Sequence, residues 1–161
     1  MSHSSPTTTE ADQPAAGSRP PAASPAYGSF EFDDDRFLSA MESGSYPAEK
    51  FKHADHIRLA WICVRRYPPQ VAAARIANTI RQFATRLGKG QKYHETITGA
   101  WLRLVEVAHR ATPEVTAFDD FLIKHGWLLD RNRLNAFYSS ECLSSNRART
   151  HMVAPDLYPL P

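Results

Sequence analysis

The sequence predicts an all-α protein folded as one compact bundle of about five helices. Apolar residues recur at helical spacing through most of the chain after residue 30, and no segment alternates apolar and polar residues convincingly. No Asn-Gly or Asp-Gly pair marks a hairpin turn. The chain has 161 residues, of which 42% are hydrophobic and 22% charged, and these values are ordinary for a single globular domain.

The first 28 residues differ in composition from the rest of the chain. They are rich in Ser, Thr, Pro and Ala and cannot bury a core, so we expect a disordered tail over 1–28 and a single helical domain over 29–161. The tail lacks the apolar stretch and basic start of a secretory signal, and it is too poor in arginine for an organellar transit peptide. The expected location is the cytoplasm.

The predicted helices have recognisable ends. The first begins with three aspartates and stops at glycine, two prolines separate the second from the third, and the fifth has proline near its start and glycine after its end. The predicted helical segments are 33–44, 54–66, 71–90 (stopping at Gly88), 92–111 and 113–126, followed by a short piece at 128–138. The proline-rich end, 153–161, is expected to run extended over the surface.

Charge and cysteine content exclude several classes of function. The net charge of +2 is too small to indicate nucleic acid or a membrane surface as a partner. No stretch approaches the roughly 18 uncharged apolar residues of a membrane span. Neither Cys63 nor Cys142 belongs to a CxxC pair, so no thiolate zinc site is expected.

Two stretches place histidines near helix starts on inward faces. In FKHADHIRLAW, a rotation of about 100° per residue turns His53 and His56 to or beside the apolar face. Arg58 and Arg65 then define the predicted solvent face on the opposite side. In KYHETITGAW, the same geometry turns His94 inward.

These three histidines predict a metal site if the two helix starts meet. His53, His56 and His94 would hold a divalent ion, zinc or iron, because neutral imidazole suits both metals. Glu95 is a candidate fourth ligand or general base, and Tyr93 a candidate proton donor. Three protein ligands with an open position would suit water activation or substrate coordination.

Three neighbouring residues have alternative interpretations. Asp55, between the first two histidines, either orients an imidazole or caps the helix. Trp61 and Trp101 occupy matching offsets in their helices, so they are either core anchors or the aromatic wall of a pocket below the histidines.

The predicted function is a small metal-dependent enzyme acting on a small-molecule substrate. A hydrolase or lyase is favoured because a carboxylate lies next to His94 and offers a general base. An iron oxygenase using the same ligands is one alternative. A non-catalytic helical binding protein, in which the histidines are structural, is the other. The sequence indicates neither the substrate nor the oligomeric state.

Several motifs resemble those of a small family of uncharacterised bacterial helical proteins. The motifs are FKHADHIRLAW and KYHETITGAW (HADHxRxAW and KYHETxT in general form), then FYSSECLSSNRAR and the final PDLYPLP. The resemblance covers roughly residues 30–161 and leaves out the tail. It implies one helical domain and no particular chemistry.

Overall fold

The computed structural model describes residues 33–161, and over that range the chain is all-α, without any strand. Five main helices and several short ones confirm the predicted bundle. The predicted tail over 1–28 lies outside the described residues. The α-helices are α1 (Asp34–Ser43), α2 (His53–Arg66), α3 (Pro69–Arg86), α4 (Glu95–Ala111), α5 (Phe118–Lys124), α6 (Ser140–Ser144) and α7 (Asn146–Thr150), with 3-10 turns at Gly90–Lys92, Gly126–Leu129 and Arg131–Ala136.

Helix α1 begins and ends as its sequence predicts. The Asp33 carboxylate accepts a hydrogen bond of 2.8 Å from the backbone N–H of Arg36, which satisfies one of the unpaired donors at the helix start. At the other end Gly44 has a φ of 77°, a left-handed conformation that glycine adopts without steric cost.

Two helix boundaries differ from the prediction for local reasons. Helix α4 begins at Glu95 rather than at residue 92, because Gly90–Lys92 forms a 3-10 turn and the backbone of His94 is extended. Helix α5 begins at Phe118 rather than at residue 113, because the chain after α4 first makes a turn in which the backbone N–H of Val115 donates to Thr112 O. Both changes shorten a helix without altering the number of main helices.

Helix α2 is the centre of the bundle and packs against α1, α3 and α4. Its apolar residues Ile57, Trp61 and Ile62 are fully buried although they point in different directions. The prediction that Arg58 lies on a solvent face is therefore wrong: its side chain is only 5% exposed. Its Nε and Nη2 atoms donate to Asp34 Oδ1 at 3.1 and 3.0 Å, so a carboxylate from α1 balances the buried charge.

The C-terminal segment lies along α4, and its last residues, 152–161, form neither helix nor strand and bend at 156–158. The hydroxyl of Thr96 donates to His151 O at 2.7 Å and accepts from the backbone N–H of Val153 at 3.1 Å. Gly99 permits this close approach, since a Cβ there would lie 2.8 Å from the sulfur of Met152. The segment thus covers the side of α4 that faces away from α2.

Within residues 33–161 no helix combines the length and the apolar character needed to cross a bilayer.

The ion pair between α1 and α2 predicts that substitution of Asp34 destabilises the fold much more than substitution of its neighbour Asp35. Asp34→Asn should lower the free energy of unfolding by about 2 kcal/mol, because it removes the carboxylate that balances the buried Arg58 guanidinium. Asp35→Asn is the matched control in the same helical turn, since Asp35 is 84% exposed where it pairs with Arg66. It should cost about 0.5 kcal/mol or less. Urea denaturation of both variants measures this, and equal losses would contradict the structural role of the pair.

Candidate functional site

A cavity of about 420 Å³ lies where the N-terminal ends of α2 and α4 meet, with α3 forming part of its wall. This volume falls within the range of small-molecule sites. The two helix starts therefore come together, which is the condition that the predicted three-histidine site set. The cavity is lined by Phe51, Lys52, His53, His56, Ala60, Ile76, Ile80, Lys92, Tyr93, His94, Ile97, Thr98, Trp101, Leu102 and Arg131.

His53 is the first residue of α2, and one of its two ring nitrogens is held by the backbone. Its Nε2 donates to Leu128 O at 2.9 Å, so Nδ1 carries the lone pair of the neutral ring. The ring also packs against Trp101, with 4.6 Å between centroids. Burial lowers the pKa of His53 below its usual 6.5, and the nearby Arg131 charge acts in the same direction.

His56 lies one turn further along α2 and is held in a similar way. Its Nδ1 donates to Lys52 O at 2.9 Å, which leaves the lone pair on Nε2, and its ring stacks on Phe51. Burial lowers the pKa of His56 as well, with a further contribution from Arg131. Both imidazoles are therefore neutral near pH 7. Neither His53 Nδ1 nor His56 Nε2 has a hydrogen-bond partner among residues 33–161.

His94 lines the same cavity, but both of its nitrogens are already in use. Its Nδ1 accepts a hydrogen bond of 3.2 Å from the backbone N–H of Ile97, and it thereby caps the N-terminus of α4. Its Nε2 donates to Leu143 O at 2.8 Å. His94 therefore holds the start of α4 to the C-terminal segment and has no lone pair left for a metal ion.

The three predicted histidines thus converge without forming a three-imidazole ligand set. Among the described residues, no group of three or more His, Cys, Asp or Glu side chains could hold a metal ion. The available nitrogens are His53 Nδ1 and His56 Nε2. Any metal held by this pair would take its other ligands from water or substrate. Zinc or iron as a cofactor stays a prediction.

Glu95 does not enter the cavity, contrary to its predicted role as ligand or base. Its Oε2 accepts from Arg81 Nη2 and from the Tyr93 hydroxyl, both at 2.9 Å. It lines a separate open groove beside Arg81 and Arg149. Burial and the bond to Glu95 raise the pKa of Tyr93 to about 12, so its proton is committed to Glu95 rather than to a ligand.

The carboxylate of Asp55 caps α2 instead of orienting an imidazole. Its Oδ2 accepts from the backbone N–H of Lys52 at 2.8 Å, and its Oδ1 accepts from the Tyr46 hydroxyl at 3.1 Å. Asp55 therefore positions the start of the helix that carries His53 and His56.

The two tryptophans divide between the two interpretations. Trp101 lines the cavity and contacts His53, as the pocket interpretation predicts. Trp61 is fully buried away from the cavity, against Phe118 and Phe121. The matching offsets fail because Trp61, about two turns beyond His53, lies in the part of α2 that α5 covers.

Sequence reasoning missed the cations of this cavity. Lys52, Lys92 and Arg131 all line it with exposed side chains. Lys52 and Lys92 directly precede His53 and Tyr93 within the two motifs, so each motif already contained the signal for a cation. Arg131 had no such signal, because it comes from a 3-10 turn distant in sequence.

No family model, curated protein or solved structure matches this chain. The resemblance of the HADHxRxAW and KYHETxT motifs to a bacterial family stays a prediction. The case for a function therefore rests on the cavity and its side chains.

The dual role of His94 predicts a graded series of stabilities. His94→Ala should lower the free energy of unfolding by about 2 kcal/mol, because it removes both the helix cap and the bond to Leu143. His94→Asn should recover about 1 kcal/mol, since asparagine is a favoured cap that does not replace the second bond. His151→Ala, at an exposed side chain, is the control and should be near neutral. Urea denaturation measures the series, and a neutral His94→Ala would refute the assignment.

The charge on Arg131 affects the pKa of two histidines, so its removal should change both pKa values together. Arg131→Gln should raise the pKa of both His53 and His56, because a positive charge that opposes protonation is removed. Burial remains the largest cause, so both pKa values should stay below 6.5. Titration of the imidazole NMR signals measures the change. Arg133→Gln, in the same turn, is the control, and an equal shift there would show a nonspecific charge effect.

Proposed function

We propose that this protein is an enzyme that transfers a proton to or from a small molecule bound in the cavity, with His53 and His56 as the acid–base groups. The observation that carries the proposal is a pair of neutral imidazoles, each with one nitrogen held by a backbone carbonyl and the other left without a partner among residues 33–161. This is the state that a general base needs before it accepts a proton.

The hydrogen bonds to the carbonyls support this role beyond simple packing. Because His53 donates to Leu128 O and His56 donates to Lys52 O, each ring is held in one tautomer and orientation. Imidazolium formation at the second nitrogen would leave these bonds intact, since both carbonyls remain acceptors. A proton taken from a ligand would therefore not require the site to rearrange.

The surroundings of the pair support binding of a molecule small enough to be partly enclosed. Ala60, Ile76 and Leu102 form a buried apolar floor, and Trp101 adds an aromatic surface beside His53. An apolar floor of this kind excludes water and strengthens electrostatic interactions with the bound molecule. Neither Tyr93 nor Glu95 is needed for this chemistry, because they pair with each other.

A metal-dependent enzyme is the second candidate, and one observation favours it. Histidines that bind metals usually donate their other ring N–H to a backbone carbonyl or carboxylate, and His53 and His56 both do so. The two are i and i+3 on one helix and can approach a shared ion. Hydrolytic or lyase chemistry by zinc, or oxygen chemistry by iron, would then depend on two protein ligands.

A turnover assay that compares the wild type with variants retaining each histidine's bond to its carbonyl tests the proposal. The purified protein is incubated with a small-molecule extract, and compounds that are consumed or formed are followed by mass spectrometry. His53→Gln retains a donor near Nε2, and His56→Asn retains one near Nδ1, so both preserve the carbonyl bonds. Each should slow a conversion made by the wild type about 10²- to 10⁴-fold.

The controls separate the candidate functions. His151→Gln changes an exposed histidine outside the cavity and should leave the conversion unchanged. Loss of the conversion on chelation, with recovery on adding zinc or iron, would favour the metal-dependent enzyme. If no conversion depends on His53 or His56, the enzymatic proposal fails, and the non-catalytic binding protein becomes the better interpretation.

A further inference from the structure

We propose that the ligand of this cavity is a small organic anion with an apolar body, whose carboxylate or phosphate oxygens are held by Lys52, Lys92 and Arg131. This inference rests on the proposed function, because it names the class of molecule that the same cavity takes. It depends on the charge of the lining, the pairing of the cations and the character of the floor.

Among the described residues, the lining of the cavity is cationic and contains no carboxylate. Lys52, Lys92 and Arg131 are its charged side chains, and its histidines His53 and His56 are neutral near pH 7. Such a lining attracts anionic groups and disfavours cationic ones.

The three cavity cations differ from several arginines elsewhere in the bundle, because those arginines form ion pairs with carboxylates. Arginines 58, 75 and 81 each pair with a carboxylate from a neighbouring helix. Within residues 33–161, by contrast, Lys52, Lys92 and Arg131 have no ion-pair partner. Three unpaired cations that surround one concave surface are available to bind the oxygens of an anion.

Asp55 and Asp130, whose charges act on His56 and His53, form no ion pair with the cavity's cations among the described residues. The Asp55 carboxylate binds the Tyr46 hydroxyl and the backbone of Lys52. The Asp130 carboxylate binds the backbone N–H of Asn132 at 3.0 Å and caps the turn that presents Arg131. Both acids therefore support the backbone that carries a cation and leave the cation side chains to the cavity.

The floor of the cavity favours an organic anion over an inorganic one. Ile76, Trp101 and Leu102 are each at least 90% buried yet line the cavity. Apolar surface at the base of a cationic rim suits a ligand with an apolar body and a charged end. In that position the charged end lies near Arg131, which is close enough to influence both His53 and His56.

Binding of four matched compounds tests this inference. The probes are benzoate, phenyl phosphate, neutral benzyl alcohol and inorganic phosphate, each titrated into the full chain and followed by two-dimensional NMR. Benzoate or phenyl phosphate should shift the indole N–H signal of Trp101 and the ring signals of His53 and His56. The better of the two should bind about tenfold more tightly than benzyl alcohol or inorganic phosphate. Their ranking identifies the carboxylate or the phosphate as the preferred anionic group.

Variants at the rim make the test specific. Arg131→Gln and Lys92→Gln should each weaken the preferred anion about tenfold. Arg133→Gln removes an equal charge from the same turn, outside the cavity lining, and should leave the affinity unchanged. Because all three side chains are exposed, these variants should fold normally, and a far-UV spectrum verifies this.

The outcomes separate this inference from the proposed function. If benzyl alcohol binds as tightly as either anion, or if no anion binds at millimolar concentration, the anion assignment is overturned. Anion binding that is insensitive to Arg131→Gln and Lys92→Gln would also overturn it. If an anion binds through these cations but no conversion depends on His53 or His56 in the turnover assay, the inference stands while the acid–base function fails.

Discussion

The burial of residues 57–63 of α2 on all sides is the constraint on which the rest of the structure depends. A helix surrounded by α1, α3 and α4 cannot keep a charged residue such as Arg58 unless a neighbour balances it, and Asp34 supplies that balance. The N-terminal end of α2 is then the part that reaches open space, where His53 and His56 lie. Their accessibility follows from the central position of their helix.

Helical periodicity predicts much of this arrangement, because it depends only on local geometry. The inward direction of His53, His56 and His94 could be predicted from about 100° of rotation per residue, whereas the meeting of the two helix starts could not, because it depends on how separate helices pack. The same reasoning fails for Arg58, because it assigns every helix one apolar face and one solvent face. Residues 57–63 of α2 are instead buried on every side. The partner Asp34 lies 24 residues away, and no local pattern identifies it.

The chemistry of the candidate site was less predictable than its position, because it depends on which atoms are already bonded. His94 has the inward direction of a ligand, but Ile97 and Leu143 occupy its two nitrogens. Glu95 is adjacent in sequence, yet Arg81 and Tyr93 hold its carboxylate outside the cavity. Hydrogen bonds of this kind join residues up to 75 positions apart, so a sequence pattern can suggest a ligand without showing that its lone pair is available.

The attachment of α4 to the C-terminal segment has a consequence for the order in which the protein is assembled. The start of α4 is secured by Leu143, His151 and Val153, all of which are synthesised well after His94. A ribosome makes the chain from its N-terminus, so α1 to α4 can associate before these residues emerge. The wall of the cavity that contains His94 is completed only when the segment arrives. During synthesis, α1 to α4 can therefore meet before the residues that secure the cavity wall have been made.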